Sequence, residues 1–145
     1  MKKIIILSGG FDPIHIGHLR MFKAAKEQSD IVIVGANSDS WLTRKKGKPF
    51  MPEYQRIEIL KAIKYIDQVY TFNDEDNTAC DLIMKVIQFY KNDKNIKIFF
   101  GNGGDRNKKT TPEIEFCKQN EIEMIWGVGG DKIQSSSDLI KSIKG

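Results

Sequence analysis

The chain has 145 residues, a length for one domain with a substantial buried core. Apolar residues make up 40% and charged residues 29%, a balance that excludes wholesale disorder. Its 23 basic and 19 acidic residues leave a net charge of +4, too mild for a nucleic-acid binder and carried largely by lysine.

The first apolar run, Ile4 to Leu7, follows Lys2 and Lys3 and imitates a signal sequence. Ser8-Gly9-Gly10 ends it too soon for a signal core or a membrane span, so a cytoplasmic protein with no membrane partner is expected. Four further short segments rich in β-branched or aromatic residues follow: Ile31–Gly35, Gln68–Phe72, Ile96–Phe100 and Glu123–Trp126. Between them lie helical periodicities. Ile57, Leu60 and Ile63 recur every three residues behind Pro52-Glu53, a helix start. Ala79, Leu82, Ile83, Val86, Ile87 and Tyr90 trace one apolar face, and Ser135-Ser136-Ser137-Asp138 offers caps for a last helix. Cys80 and Cys117 lack paired spacing, which predicts two free thiols in a reducing compartment.

Strands alternating with helices imply parallel pairing and cover on both sheet faces. The expected fold is a single doubly wound, Rossmann-like α/β domain over residues 1–145, built on a five-stranded parallel sheet. Ligands of such folds gather at the carboxyl ends of the strands, where strand order reverses.

The loop after the first strand reads Ser8-Gly9-Gly10-Phe11-Asp12-Pro13-Ile14-His15-Ile16-Gly17-His18. Its glycines permit close backbone approach, and a helix starting near Gly17 turns its amides and positive dipole end toward an anion. His15 and His18, the chain's two histidines, stand three apart at that start and can face one phosphate together. No protein metal site is predicted, because no further histidine and no cysteine pair accompanies them.

Gly9-Gly10-Phe11-Asp12-Pro13 with His15-Ile16-Gly17-His18 resembles the signature of the cytidylyltransferase-like nucleotidyltransferases. The similarity continues along the chain. Asn37-Ser38-Asp39 looks like a turn of that family, Arg44-Lys45-Lys46-Gly47-Lys48-Pro49 like its mobile basic segment, and Arg56 like the arginine opening its next helix. Asp74-Glu75-Asp76-Asn77-Thr78 and Gly103-Gly104-Asp105 are similar to the heptose-phosphate branch, and Ser135-Ser136-Ser137 stands at the family's terminal serine/threonine motif. The family's arginine ahead of that motif is absent; Gly129-Gly130-Asp131 occupies the region, and Lys132 offers only a point charge.

The resemblance implies transfer of a nucleoside monophosphate from CTP or ATP to a phosphorylated sugar or polyol, of the heptose 1-phosphate or glycerol 3-phosphate type, releasing pyrophosphate. It assigns catalysis to His15, His18, Lys46 and Arg56. Nucleotide binding falls to Ser8, Gly9, Gly10, Phe11, Asp12, Gly17, Gly103, Asp105, Ser135, Ser136 and Ser137, and acceptor binding to Asp39 and Lys45. Mg²⁺ is expected, held mainly by substrate phosphates, and the family favours a homodimer. Trp41, Phe50 and Trp126 read as packing, and Glu113, Glu115, Glu121 and Glu123 as surface charge. A non-catalytic nucleotide sensor of the same fold, or another small-molecule adenylyltransferase, is the alternative.

Overall fold

In a computed structural model that describes residues 1–103 and 112–129, all five expected strands are present. They are β1 (Lys2–Gly9), β2 (Ile31–Ala36), β3 (Gln68–Thr71), β4 (Ile96–Gly103) and β5 (Glu123–Val128). Every pairing is parallel, in the order β3-β2-β1-β4-β5, the doubly wound arrangement. The helices are α1 (Ile16–Gln28), α2 (Asp39–Lys46), α3 (Glu53–Lys61), α4 (Cys80–Phe89) and α5 (Ile114–Gln119).

Strand alternation in β1 divides the interior into two cores. Ile4 and Ile6 enter the first, with Ile33, Leu82, Ile83, Val86, Phe100 and Cys117, beneath α4 and α5. Ile5 and Leu7 enter the second, with Phe22 and Ala25 of α1, Val32, Val34 and Leu60 of α3. Each fully buried aliphatic side chain contributes about 1.5–3 kcal/mol, so this central strand fixes both layers and carries the loop that follows it.

Three local features depart from the sequence reading. Arg44, Lys45 and Lys46 of the basic segment after β2 form the last turn of a helix: Ser38 caps α2, its Oγ accepting from the Trp41 N–H at 3.1 Å, and Gly47 ends it at φ 97°. Ile63 lies past the end of α3, because that helix stops at Lys61. Glu113 is not surface charge. It is 3% exposed, and its Oε1 accepts the Ala79 N–H at 3.0 Å, at the start of α4 where the sequence supplies no side-chain cap. The serine-rich start of the expected last helix, Ser135 to Ser137, lies outside the described residues, as do Asp105 and Lys132.

Pairing between β1 and β4 ends at Ile6 and Phe100, although the two strands run on to Gly9 and Gly103. On its other side β1 stays paired with β2 as far as Gly9 and Ala36. The strand order reverses between β1 and β4, so a crevice opens at the point where such sheets bind ligands. Further out, β5 carries one extra residue between its pairings to Gly101 and Gly103, a bulge eased by Gly127 at φ 68°.

Candidate active site

Both histidines stand at the amino end of α1 and cap it reciprocally. His15 is the N-cap; its Nδ1 accepts from the Gly17 N–H at 3.1 Å, while the Nδ1 of His18 accepts from the His15 N–H at 3.2 Å. The rings are stacked, with centroids 3.9 Å apart. A neutral imidazole that accepts at Nδ1 carries its proton on Nε2. The stacked pair therefore stands at the positive end of the helix dipole, an arrangement suited to an anion.

Phe11 and Asp12, expected at the nucleotide, are instead 3% and 1% exposed. Phe11 adopts φ 51° and sets its ring edge-on to His18 at 5.0 Å and against Phe22 at 5.5 Å, which fixes the His18 imidazole from behind. The Asp12 carboxylate accepts the N–H groups of Phe50 and Met51. Its Oδ2 also lies 3.2 Å from Lys46 Nζ, and Lys46 donates to the Asp12 carbonyl at 2.7 Å. Asp12 thus fastens the segment after α2 to the glycine loop. A Cβ at Gly10 would lie 2.9 Å from Leu42, so that glycine lets α2 close onto the loop.

Arg56 departs furthest from the expected grip on phosphate. Its side chain is fully buried in α3. Nε donates to Met51 O at 3.0 Å, Nη1 to Gly10 O at 2.8 Å and Asn37 O at 2.7 Å, and Nη2 to Asp39 at 2.8 Å. One guanidinium therefore joins the loops after β1 and β2 to the approach of α3. Because a trans peptide points its N–H opposite to its C=O, the Gly10 carbonyl turned onto Arg56 turns the Phe11 amide away from it.

A second buried staple was not anticipated. Asp74, 3% exposed after β3, accepts from the Ser38 N–H at 2.8 Å, the Ser38 hydroxyl at 2.7 Å and the Asn37 amide at 3.0 Å. Burial works against its charge, but these hydrogen bonds prevail and hold the carboxyl below its ordinary range. Arg44 closes the same corner, donating to Asp74 O at 2.8 Å and Asn77 at 3.1 Å. Lys45 lies 4.7 Å over the Trp41 ring. Phe50, read as packing, is 47% exposed. No sequence signal marks Asp74 or Asn37 as buried, because their burial follows from three loops meeting at one sheet edge.

The cytidylyltransferase-like family matches residues 6–144. The chain belongs to that family. Curated relatives named bifunctional protein HldE are 34% identical in Sulfurimonas denitrificans and 39% identical in Campylobacter jejuni, each over 99% of this chain. The chain spans 27% and 28% of the length of those relatives. The fold is also that of a bifunctional NMN adenylyltransferase/ADP ribose pyrophosphatase from Francisella tularensis, complexed with AMP and a Mn ion. The TM-score is 0.64 at 20% identity, covering all of this chain and 42% of that one.

Proposed function

We propose that this chain transfers AMP from ATP to a heptose-type sugar phosphate, releasing pyrophosphate, and that residues 1–145 act as one nucleotidyltransferase domain. The observation that carries this reading is the stacked histidine pair that caps the amino end of α1, beside the crevice between β1 and β4. The similarity to the HldE relatives supports the choice of ATP and a heptose phosphate over CTP and a polyol phosphate.

The chemistry suits these residues. The acceptor's phosphate oxygen is already ionised near neutral pH, so it attacks the α-phosphorus without a protein nucleophile. The new O–P bond forms as the bond to the β-phosphate oxygen breaks, and pyrophosphate leaves. What the protein must supply is alignment of two repelling anions and donors to the developing charge. In this reading His15 and His18 donate to the triphosphate. Ser8, Gly9, Gly10 and Gly17 line its approach, and Lys46 delivers its charge from the Asp12 contact.

Asp39 and Lys45 meet the acceptor. Gly103, Asp105 and Ser135 to Ser137 complete the nucleotide site. Arg56, Phe11 and Asp12 serve as positioning residues behind these groups. A divalent ion, Mg²⁺ in this reading, neutralises the phosphates when bound. The described residues contain no cluster of three or more His, Cys, Asp or Glu side chains that could hold a metal ion.

A homodimer fits the exposed apolar side chains of Ile16, Leu19, Phe50, Tyr54 and Ile59. No helix among the described residues is long and apolar enough to cross a membrane. The test is pyrophosphate release with Mg²⁺, pairing ATP or CTP with heptose 1-phosphate or glycerol 3-phosphate. Turnover with ATP and the heptose phosphate is expected. Turnover with CTP and glycerol 3-phosphate alone would replace this substrate assignment.

A further inference from the structure

Asn102 plays no part in the site as described so far. It is 2% exposed, and neither its Nδ2 nor its Oδ1 has a hydrogen-bond partner among the described residues. A buried carboxamide with both ends unanswered is rare, because interiors satisfy such groups almost without exception. Its position makes the vacancy informative. Ile98 and Phe100 of β4 pack with the core beneath α4 and α5, and the bulge opposite them lies in β5, so the alternation of β4 is undisturbed. Asn102 therefore lies on the α4/α5 side, two residues beyond the last β1–β4 pairing, at the mouth of the crevice. Ser8 of β1, two residues past Ile6, falls on the same side.

The histidine pair stands at the start of α1, the helix that packs on the opposite face. A substrate with its phosphates at α1 that crosses the strand ends toward Asn102 presents its uncharged portion there. A carboxamide is neutral and offers one donor side and one acceptor side. Two neighbouring hydroxyls meet both, one oxygen accepting from Nδ2 and one O–H donating to Oδ1.

We propose that Asn102 is a specificity residue that reads a vicinal pair of hydroxyls on a substrate at the β1–β4 crevice. The diol belongs either to the ribose of the nucleotide or to the sugar acceptor. This inference rests on the nucleotidyltransferase reading above.

The test compares the wild type with Asn102→Leu, which keeps the branched shape of the side chain and removes both hydrogen-bonding atoms. Asn102→Ser serves as a second variant should the first fail to fold. Calorimetry measures binding of ATP and of 2′,3′-dideoxy-ATP, and steady-state assays measure the KM for the sugar phosphate. A site built around a hydroxyl rejects the analogue that lacks it.

If the ribose is read, the wild type binds the dideoxy nucleotide about 10-fold or more weaker than ATP, and the variant binds the two alike. If the acceptor is read, ATP binding is unchanged and the KM for the sugar phosphate rises about 10-fold or more. In both cases the melting temperature of the ligand-free variant stays at or above that of the wild type, because the group it loses has no partner to lose. Unchanged nucleotide binding together with an unchanged KM would overturn the proposal, and so would a lower melting temperature as the sole effect. A wild type that neither binds ATP nor turns over would overturn the functional reading itself, and this inference with it.

Discussion

Arg56→Ala removes a guanidinium that four hydrogen bonds hold in a fully buried position, and the structure sets the size of the effect. Its ion pair with Asp39 adds little, since that carboxylate is 46% exposed and solvent screens it. The larger loss comes from the carbonyls of Gly10, Asn37 and Met51, each left without its donor at about 1–1.5 kcal/mol. The total, about 3–5 kcal/mol, matches what removal of one partner from a buried charged network costs.

A chain of this size loses about 3 °C of Tm per kcal/mol, so calorimetry should record a fall of roughly 10–15 °C. Arg44→Ala is the control. Arg44 is exposed and its two bonds cap a corner, so a shift of about 3 °C or less is expected. The Arg56 variant should show a lower kcat together with a raised KM, because the loops that place the donors loosen together. An Arg56→Ala protein with wild-type Tm and only a raised nucleotide KM would refute the reasoning. It would make Arg56 a direct phosphate ligand, as the sequence alone suggests.

Three further outcomes follow from the geometry. His18→Ala should lower kcat about 10²-fold or more by removing a transition-state donor, while the lost cap bond costs only about 1 kcal/mol by thermal denaturation; near-normal turnover would sink the role of the pair. Asp74 is held below its ordinary range, so its stabilisation is complete above the unfolded value near pH 4 and is lost as pH falls through the lower folded value. Melting curves of Asp74→Asn should therefore show a lower Tm at neutral pH and a shallower acid-side decline than the wild type, and parallel declines would contradict the staple. Burial, with smaller contributions from Cys80 and Glu113, pushes the Cys117 thiol up to about 12; at pH 8 it should resist a thiol reagent in the native protein and react fully in denaturant.

Much of the fold is legible in the sequence because parallel strands buried on both faces write themselves as continuous apolar runs. Ile4–Leu7 and Ile31–Gly35 show this, and the structure only lengthens them. The histidine pair is legible for a different reason: its helix start, glycines and spacing are all local. What escapes local reading is burial of charge. Arg56, Asp12, Asp74 and Glu113 look like surface or ligand groups in one dimension. Each becomes a staple because loops from separate strands converge on it across sequence separations of 34 to 46 residues. Helix α2 escaped for a similar reason, since its basic last turn reads as a flexible segment until Ser38 and Asp74 fix its start.

The most direct test of nucleotidyl transfer is the fate of radiolabelled phosphorus with ATP, Mg²⁺ and heptose 1-phosphate. Label at the α-phosphate should appear in the sugar nucleotide and label at the γ-phosphate in pyrophosphate, because the acceptor attacks the α-phosphorus. Transfer of γ label to the sugar phosphate, or of neither label to any acceptor tried, would contradict the account at its centre.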